Sequence, residues 1–128
     1  MLADPGGVAR RRIPPGVEVY EINGPFFFGA ADKILDVLGV VARKPSAFIF
    51  RLRNVPAIDA TGIRVLDDLD EAFRRRGIRF VLAGLHAQPF LALDRAGGLD
   101  RYGRENLAAD LDEALALAER AAPKTGAV

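Results

Sequence analysis

Residues 47–63 read AFIFRLRNVPAIDATGI, and the reading of the fold starts from this stretch. Residues 47–52 are almost continuously apolar, the pattern of a strand buried on both faces near the middle of a sheet. The loop 54–58 follows, and Asp59 stands where a helix N-cap carboxylate belongs. Ile63, Leu66, Leu69 and Phe73 then recur at helical spacing, and Gly77 is placed to end that helix. A buried strand feeding an amphipathic helix through a short loop is the repeating unit of α/β architecture.

Upstream, residues 17–22 form a β-prone run in which Glu21 falls in phase with Val17 and Val19, so the alternation is imperfect. Asn23 and Gly24 then supply a dipeptide that tolerates positive φ, and the apolar run Phe26, Phe27, Phe28 follows, which together read as a hairpin with Pro25 opening its second strand. After Gly29, the spacing of Ala30, Ile34, Leu38 and Val41 predicts a first helix, stopped by Pro45. Downstream, residues 78–83 read as another strand, Gly84 opens a turn, and a third helical segment runs from about His86 to about Ala96, stopped by Gly97 and Gly98. A weak strand is expected near 99–102, and Leu107, Leu111 and Leu115, spaced by four, predict a closing helix. The fold class is therefore α/β, a mixed β-sheet covered by helices.

With 128 residues and 50% hydrophobic content, the chain suits one domain with a real core. Residues 1–12, with Gly6, Gly7 and the run Arg10, Arg11, Arg12, read as a disordered linker or cloning remnant; 13–122 is the domain, and 123–128 a disordered tail. The 18 basic and 17 acidic side chains leave a net charge of +1, so no global field draws in nucleic acid. The absence of cysteine removes thiol nucleophiles, disulfides and thiolate zinc sites, and suits a reducing compartment. No apolar stretch approaches the length a membrane-spanning helix needs, so the fragment reads as soluble by itself.

The order of the 17–22 strand, the tract Asn23, Gly24, Pro25, Phe26, Phe27, Phe28, Gly29, Ala30, Ala31, Asp32, and then Asp59, Ala60, Thr61, Gly62, Ile63 closely resembles STAS domains of SulP-family (sulfate permease-like) anion transporters. The likeness spans most of the chain and implies the STAS, anti-sigma factor antagonist-like, fold. It implies a non-catalytic regulatory module on the cytoplasmic side of the inner membrane, attached to a transporter of sulfate, bicarbonate or dicarboxylate class. Its implied partners are the transmembrane domain of the parent transporter, a second copy of itself, or a cytoplasmic regulatory protein. The alternatives are a free-standing antagonist-like partner-switching protein and a nucleotide-sensing domain that takes GTP or another nucleotide, with no other cofactor expected. In antagonist members the position directly after the aspartate is a phosphorylatable serine; here it is Ala60, which has no hydroxyl.

The residues themselves give this loop a rationale. The first-turn N–H groups of the helix entered through Asp59 lack partners within the helix and favour negative charge. In parallel α/β sheets, sites gather beyond the carboxyl ends of the strands, where the Gly84 turn also belongs. The candidate partner- or nucleotide-binding loop is therefore Asp59, Ala60, Thr61, Gly62 and Gly84. Asp59 reads as a plain cap or as a partner contact; Thr61 reads as a helix-start residue or as a phosphorylation site.

Other clusters read more simply. Asp67, Asp68, Asp70 and Glu71 are expected on a solvated helix face, with Asp70 and Arg74, and Glu71 and Arg75, as i,i+4 pairs. Arg74, Arg75, Arg76 and Arg79 suit a helix carboxyl end, or anionic headgroups if the domain hangs below a membrane. His86, the only histidine, reads as a cap or surface residue rather than a metal ligand, and the phenylalanine tract as core. No nucleophile and base pair can be named, and no enzyme is expected.

Overall fold

The computed structural model describes residues 13–24 and 45–126, with 121–126 as helix backbone only. Strands β1 (Val17–Asn23), β2 (Ala47–Asn54), β3 (Arg79–Ala83) and β4 (Leu107–Ala108) lie side by side in sequence order. Each neighbouring pair is parallel. Helices α1 (Ala60–Arg75), α2 (Ala87–Arg95), the short α3 (Gly98–Tyr102) and α4 (Leu111–Gly126) supply the connections and the cover, with a 3-10 turn at Arg104–Asn106. The second hairpin strand at Phe26 to Phe28 and the helix from Ala30 to Val41 lie outside the described residues.

The period-two alternation of strand side chains divides the core into two layers. Phe48, Phe50 and Leu52 of β2, with Phe80 and Leu82 of β3, meet Leu66, Leu69 and Phe73 of α1, Leu93 of α2, and Leu99 and Tyr102 of α3. Phe73 stacks on Phe48 at 4.7 Å between ring centroids and lies 5.2 Å from Phe80, whose ring meets Tyr102 edge-on at 6.2 Å. Ala47, Ile49, Val81 and Ala83 face the other way, against Leu111, Ala114, Leu117 and Ala118 of α4. The alternating residues of β2 are thus buried on both sides, which explains its unbroken apolar run.

The end of α1 shows how few residues fix a boundary. Gly77 has φ +72, its N–H donates to the Arg74 carbonyl at 3.1 Å, and the Ile78 N–H donates to the Phe73 carbonyl at 2.9 Å. These two bonds close a Schellman motif, and Ile78 and Phe73 share one core layer, as the motif's hydrophobic contact requires.

Three expectations are corrected. Residues 99–102 are helical, because Leu99 and Tyr102, three apart, are buried together on one side of α3 after the left-handed Gly97. The last strand comes later, at Leu107–Ala108, and Leu107 therefore does not belong to the closing helix, which starts at Leu111. The carboxylates of α1 do not all lie on a solvated face, since Asp70 is buried and Asp67 is half-buried. The closing helix continues as backbone to Gly126, beyond the boundary placed at Ala122.

Candidate functional site

The loop from β2 to α1 crosses the carboxyl edge of the sheet. Val55 and Ile58 are buried and pin it to the core. Gln88 of α2 clamps it from above: its Oε1 accepts from the Ile58 N–H at 2.9 Å and its Nε2 donates to the Ile58 carbonyl at 3.2 Å. Asp59 is held extended (φ −106, ψ −176), and its Oδ1 accepts from the Gly62 N–H at 2.9 Å. The carboxylate is thus a true N-cap, satisfying one of the helix's orphan donors.

Asp59, Ala60 and Thr61 are exposed together at this tip, and an open recess of about 260 Å³ is lined by Ala60, Thr61 and Arg64. No acidic side chain follows in the first turn of α1, so the helix end and Arg64 both favour a negatively charged partner. Gly62 is buried and turns inward, so it supports the tip without being presented.

Gly84 belongs to a different cavity at the same edge of the sheet. Its φ is +75, and a Cβ there would come within 3.2 Å of the Arg53 Cβ and 3.3 Å of the Arg53 Cα. Only glycine fits this close passage. Its N–H donates to the Ala108 carbonyl at 2.9 Å, tying β3 to β4. His86 occupies the N-cap position of α2 without a side-chain capping bond; its Nε2 instead contacts the Arg53 carbonyl.

Sequence reasoning missed two groups. Arg51 is 4% exposed, with its Nη1 3.5 Å from Glu21 Oε1. The two residues face each other in the β1–β2 register, and Glu21 Oε2 accepts from Asn54 Nδ2 at 2.8 Å. Both announced themselves in the sequence: Glu21 breaks the alternation of β1, and Arg51 interrupts an apolar strand. The other group lies on α1. Asp67 accepts from Arg101 Nη2 at 2.9 Å on each carboxylate oxygen, and its Oδ1 also accepts from the Tyr102 hydroxyl at 2.7 Å. Burial, then the hydrogen bond to Asp67, pushes the Tyr102 phenol well above its usual range. Asp70 pairs with Arg74, whose guanidinium also donates to the Arg101 carbonyl at 2.9 Å. Burial raises the Asp70 pKa, and Arg74 opposes the rise. This network locks α1 to α3. Glu71 and Arg75 form the second expected i,i+4 pair at 3.3 Å, whereas Arg79 donates to Asn106 Oδ1 at 2.7 Å.

Among the described residues, no group of three or more metal-ligating side chains is placed to hold an ion, and no helix is long and apolar enough to cross a membrane. A model of the STAS domain matches residues 9–114. The chain belongs to the STAS domain family. A solved sulfate transporter family protein from Wolinella succinogenes is 42% identical, covering 92% of this STAS domain and 97% of that chain, with a TM-score of 0.86. The SulP transporter STAS domain from Vibrio cholerae is 32% identical over 91% of this chain and 89% of that one, with a TM-score of 0.74. YvdB of Bacillus subtilis (strain 168), whose name places it with sulfate transporters, is 29% identical over 107 residues. That match takes in 83% of this STAS domain and 20% of the relative, so the domain corresponds to about a fifth of the curated protein it matches.

Proposed function

We propose that this STAS domain is a non-catalytic regulatory module of a SulP-type anion transporter, held on the cytoplasmic side of the membrane, and that it docks through the exposed tip of α1. The observation that carries the reading is the construction of that tip. Asp59 and Gln88 hold in place a helix start whose outer residues, Ala60 and Thr61, are exposed beside a recess of about 260 Å³. A preorganised surface binds without first ordering itself, which lowers the cost of association. The partner proposed is the transport domain of the same transporter. Similarity to the Wolinella and Vibrio proteins supports a transporter setting over a free-standing partner switch, and Ala60 removes the hydroxyl that a switch at that atom would phosphorylate.

The test is anion uptake by the full transporter that carries this domain, with Asp59→Ala and Thr61→Arg introduced separately. Uptake should fall in both, while the isolated domains keep their circular dichroism spectra. Normal uptake in both variants would remove the α1 tip as the working surface. Ala60→Ser serves as a control and should leave uptake unchanged, because docking requires no modification at this position.

A further inference from the structure

The end of β1 couples the demands of a turn to a chemical liability. Gly24 has φ +86, a conformation that an L side chain adopts only with strain, so the chain calls for glycine there. Glycine also leaves its own amide nitrogen open to the side chain before it, because no Cβ hinders the approach. That side chain is Asn23, which is exposed. We propose that Asn23 is a deamidation site: the Gly24 nitrogen attacks the Asn23 side-chain amide when the carboxyl ends of β1 and β2 part, and Asn54 is the residue that keeps them closed.

The chemistry needs only water. The Gly24 N–H gives its proton to solvent base, the nitrogen bonds to Asn23 Cγ, and the Cγ–Nδ2 bond breaks as ammonia leaves, closing a cyclic imide. Water then adds to either imide carbonyl, so the ring opens to aspartate or to isoaspartate. Closure requires both reacting groups to be free, and in the folded domain Asn54 holds both. Its backbone carbonyl accepts from the Gly24 N–H at 2.9 Å, and its Nδ2 donates to Asn23 Oδ1 at 2.6 Å. The same Nδ2 donates to Glu21 Oε2 at 2.8 Å, so one side chain ties β1 to β2 across the register shift between Glu21 and Asn23. A nitrogen already donating is harder to deprotonate, and an anchored amide cannot turn onto it. Reaction therefore proceeds through a local opening of this strand end, which costs far less than unfolding the domain. The product changes the structure. Aspartate at position 23 places a second carboxylate beside Glu21 on the one Asn54 amide, and isoaspartate adds an atom to the main chain, which breaks the pairing of Asn23 with Asn54. Either product loosens Asn54, the residue that starts the loop leading to α1.

The proposal stands apart from docking by the α1 tip, since its test uses neither membrane nor transporter. The sequence supplies internal controls: of its three asparagines, Asn54 and Asn106 are followed by Val55 and Leu107, whose side chains hinder the same attack, and each asparagine falls in its own tryptic peptide. The 128-residue chain is incubated at mildly alkaline pH, folded and in urea, and deamidation of each peptide is followed by mass spectrometry, with isoaspartate resolved by chromatography. In urea Asn23 should react well ahead of Asn54 and Asn106, and in the folded chain it should be strongly protected. Asn54→Ala, which keeps the backbone carbonyl, should speed the reaction of the folded chain about fivefold, the effect on the open population of losing one hydrogen bond. Should that variant fail to fold, amide exchange in the parent decides: as urea below the unfolding midpoint speeds exchange at Gly24, deamidation of Asn23 should rise in proportion. Folded Asn23 reacting as fast as in urea, a folded Asn54→Ala variant no faster than the parent, or deamidation that does not follow Gly24 exchange would each overturn the proposal.

Discussion

Replacing Tyr102 by Phe isolates one bond in the network that locks α1 to α3. The ring is 4% exposed and packs edge-on against Phe80, and both features survive the substitution. What disappears is the 2.7 Å hydrogen bond from the phenol to Asp67. Such bonds to charged acceptors contribute about 1.5–3 kcal/mol. Here the lower end is discounted further, because the Asp67 side chain is 33% exposed and keeps Arg101, so water and the guanidinium take up the vacated lone pair. The expected loss is about 1 kcal/mol. Asp67→Ala is the informative contrast, since it strands a buried phenol hydroxyl and releases Arg101, and should cost about 2–3 kcal/mol. Urea unfolding at neutral pH reads both as shifts in midpoint at constant slope. A Tyr102→Phe variant within about 0.3 kcal/mol of the parent, or an Asp67→Ala variant no less stable than Tyr102→Phe, would refute the view that this hydroxyl is committed to Asp67.

Other outcomes follow from the same geometry. Asp59→Ala removes the cap on α1 and should lower stability by about 1 kcal/mol, measured by denaturant unfolding, with the fold intact. Phe73→Ala empties the space between Phe48 and Phe80 and should cost about 3–5 kcal/mol, seen as a large drop in the thermal midpoint. Burial raises the Asp70 pKa above its ordinary 3.8, so the native state holds this proton more tightly than the unfolded chain does. Its stabilising effect is therefore complete below that ordinary value and is lost as pH rises through the native one. Asp70→Asn should flatten this fall in a series of unfolding midpoints between acid and neutral pH, and a parallel pH profile in the two proteins would count against the effect of burial.

Much of the fold was legible because single residues carried it. The unbroken apolar run of β2 marked a strand covered on both faces, and Asp59 and Gly77 bracketed α1 to within a residue or two. The segment after α2 was misread for a physical reason. Leu99 and Tyr102 are compatible with either a strand or one helical turn, and only the packing of both into the α1 layer selects the helix. Leu107 continues the four-residue spacing of Leu111 and Leu115, yet pairing of Leu107 with Leu82 in the sheet outweighs that periodicity. The exposed tip at Asp59, Ala60 and Thr61 was readable as a helix start. Its separation from Gly84 was not, because nothing local in the sequence says that the Gly84 turn packs against Arg53 and bonds to Ala108.

The polar residues that broke the sequence pattern mark where the sheet does more than pack. Glu21 and Arg51 lie on the α4 side of the sheet, where every earlier residue of the same parity, from Val17 and Ala47 onward, is apolar. A pair that served stability alone could be replaced by two more apolar residues at little cost, since burying charges is expensive even when they are matched. The pair lies at the carboxyl ends of parallel strands, and Arg51 also lines the cavity that Arg53 and Gly84 share. Replacing Glu21 and Arg51 together by Val and Ile should leave the unfolding midpoint unchanged or raise it, because the apolar pair escapes the desolvation cost, and a clear fall in the midpoint would refute this.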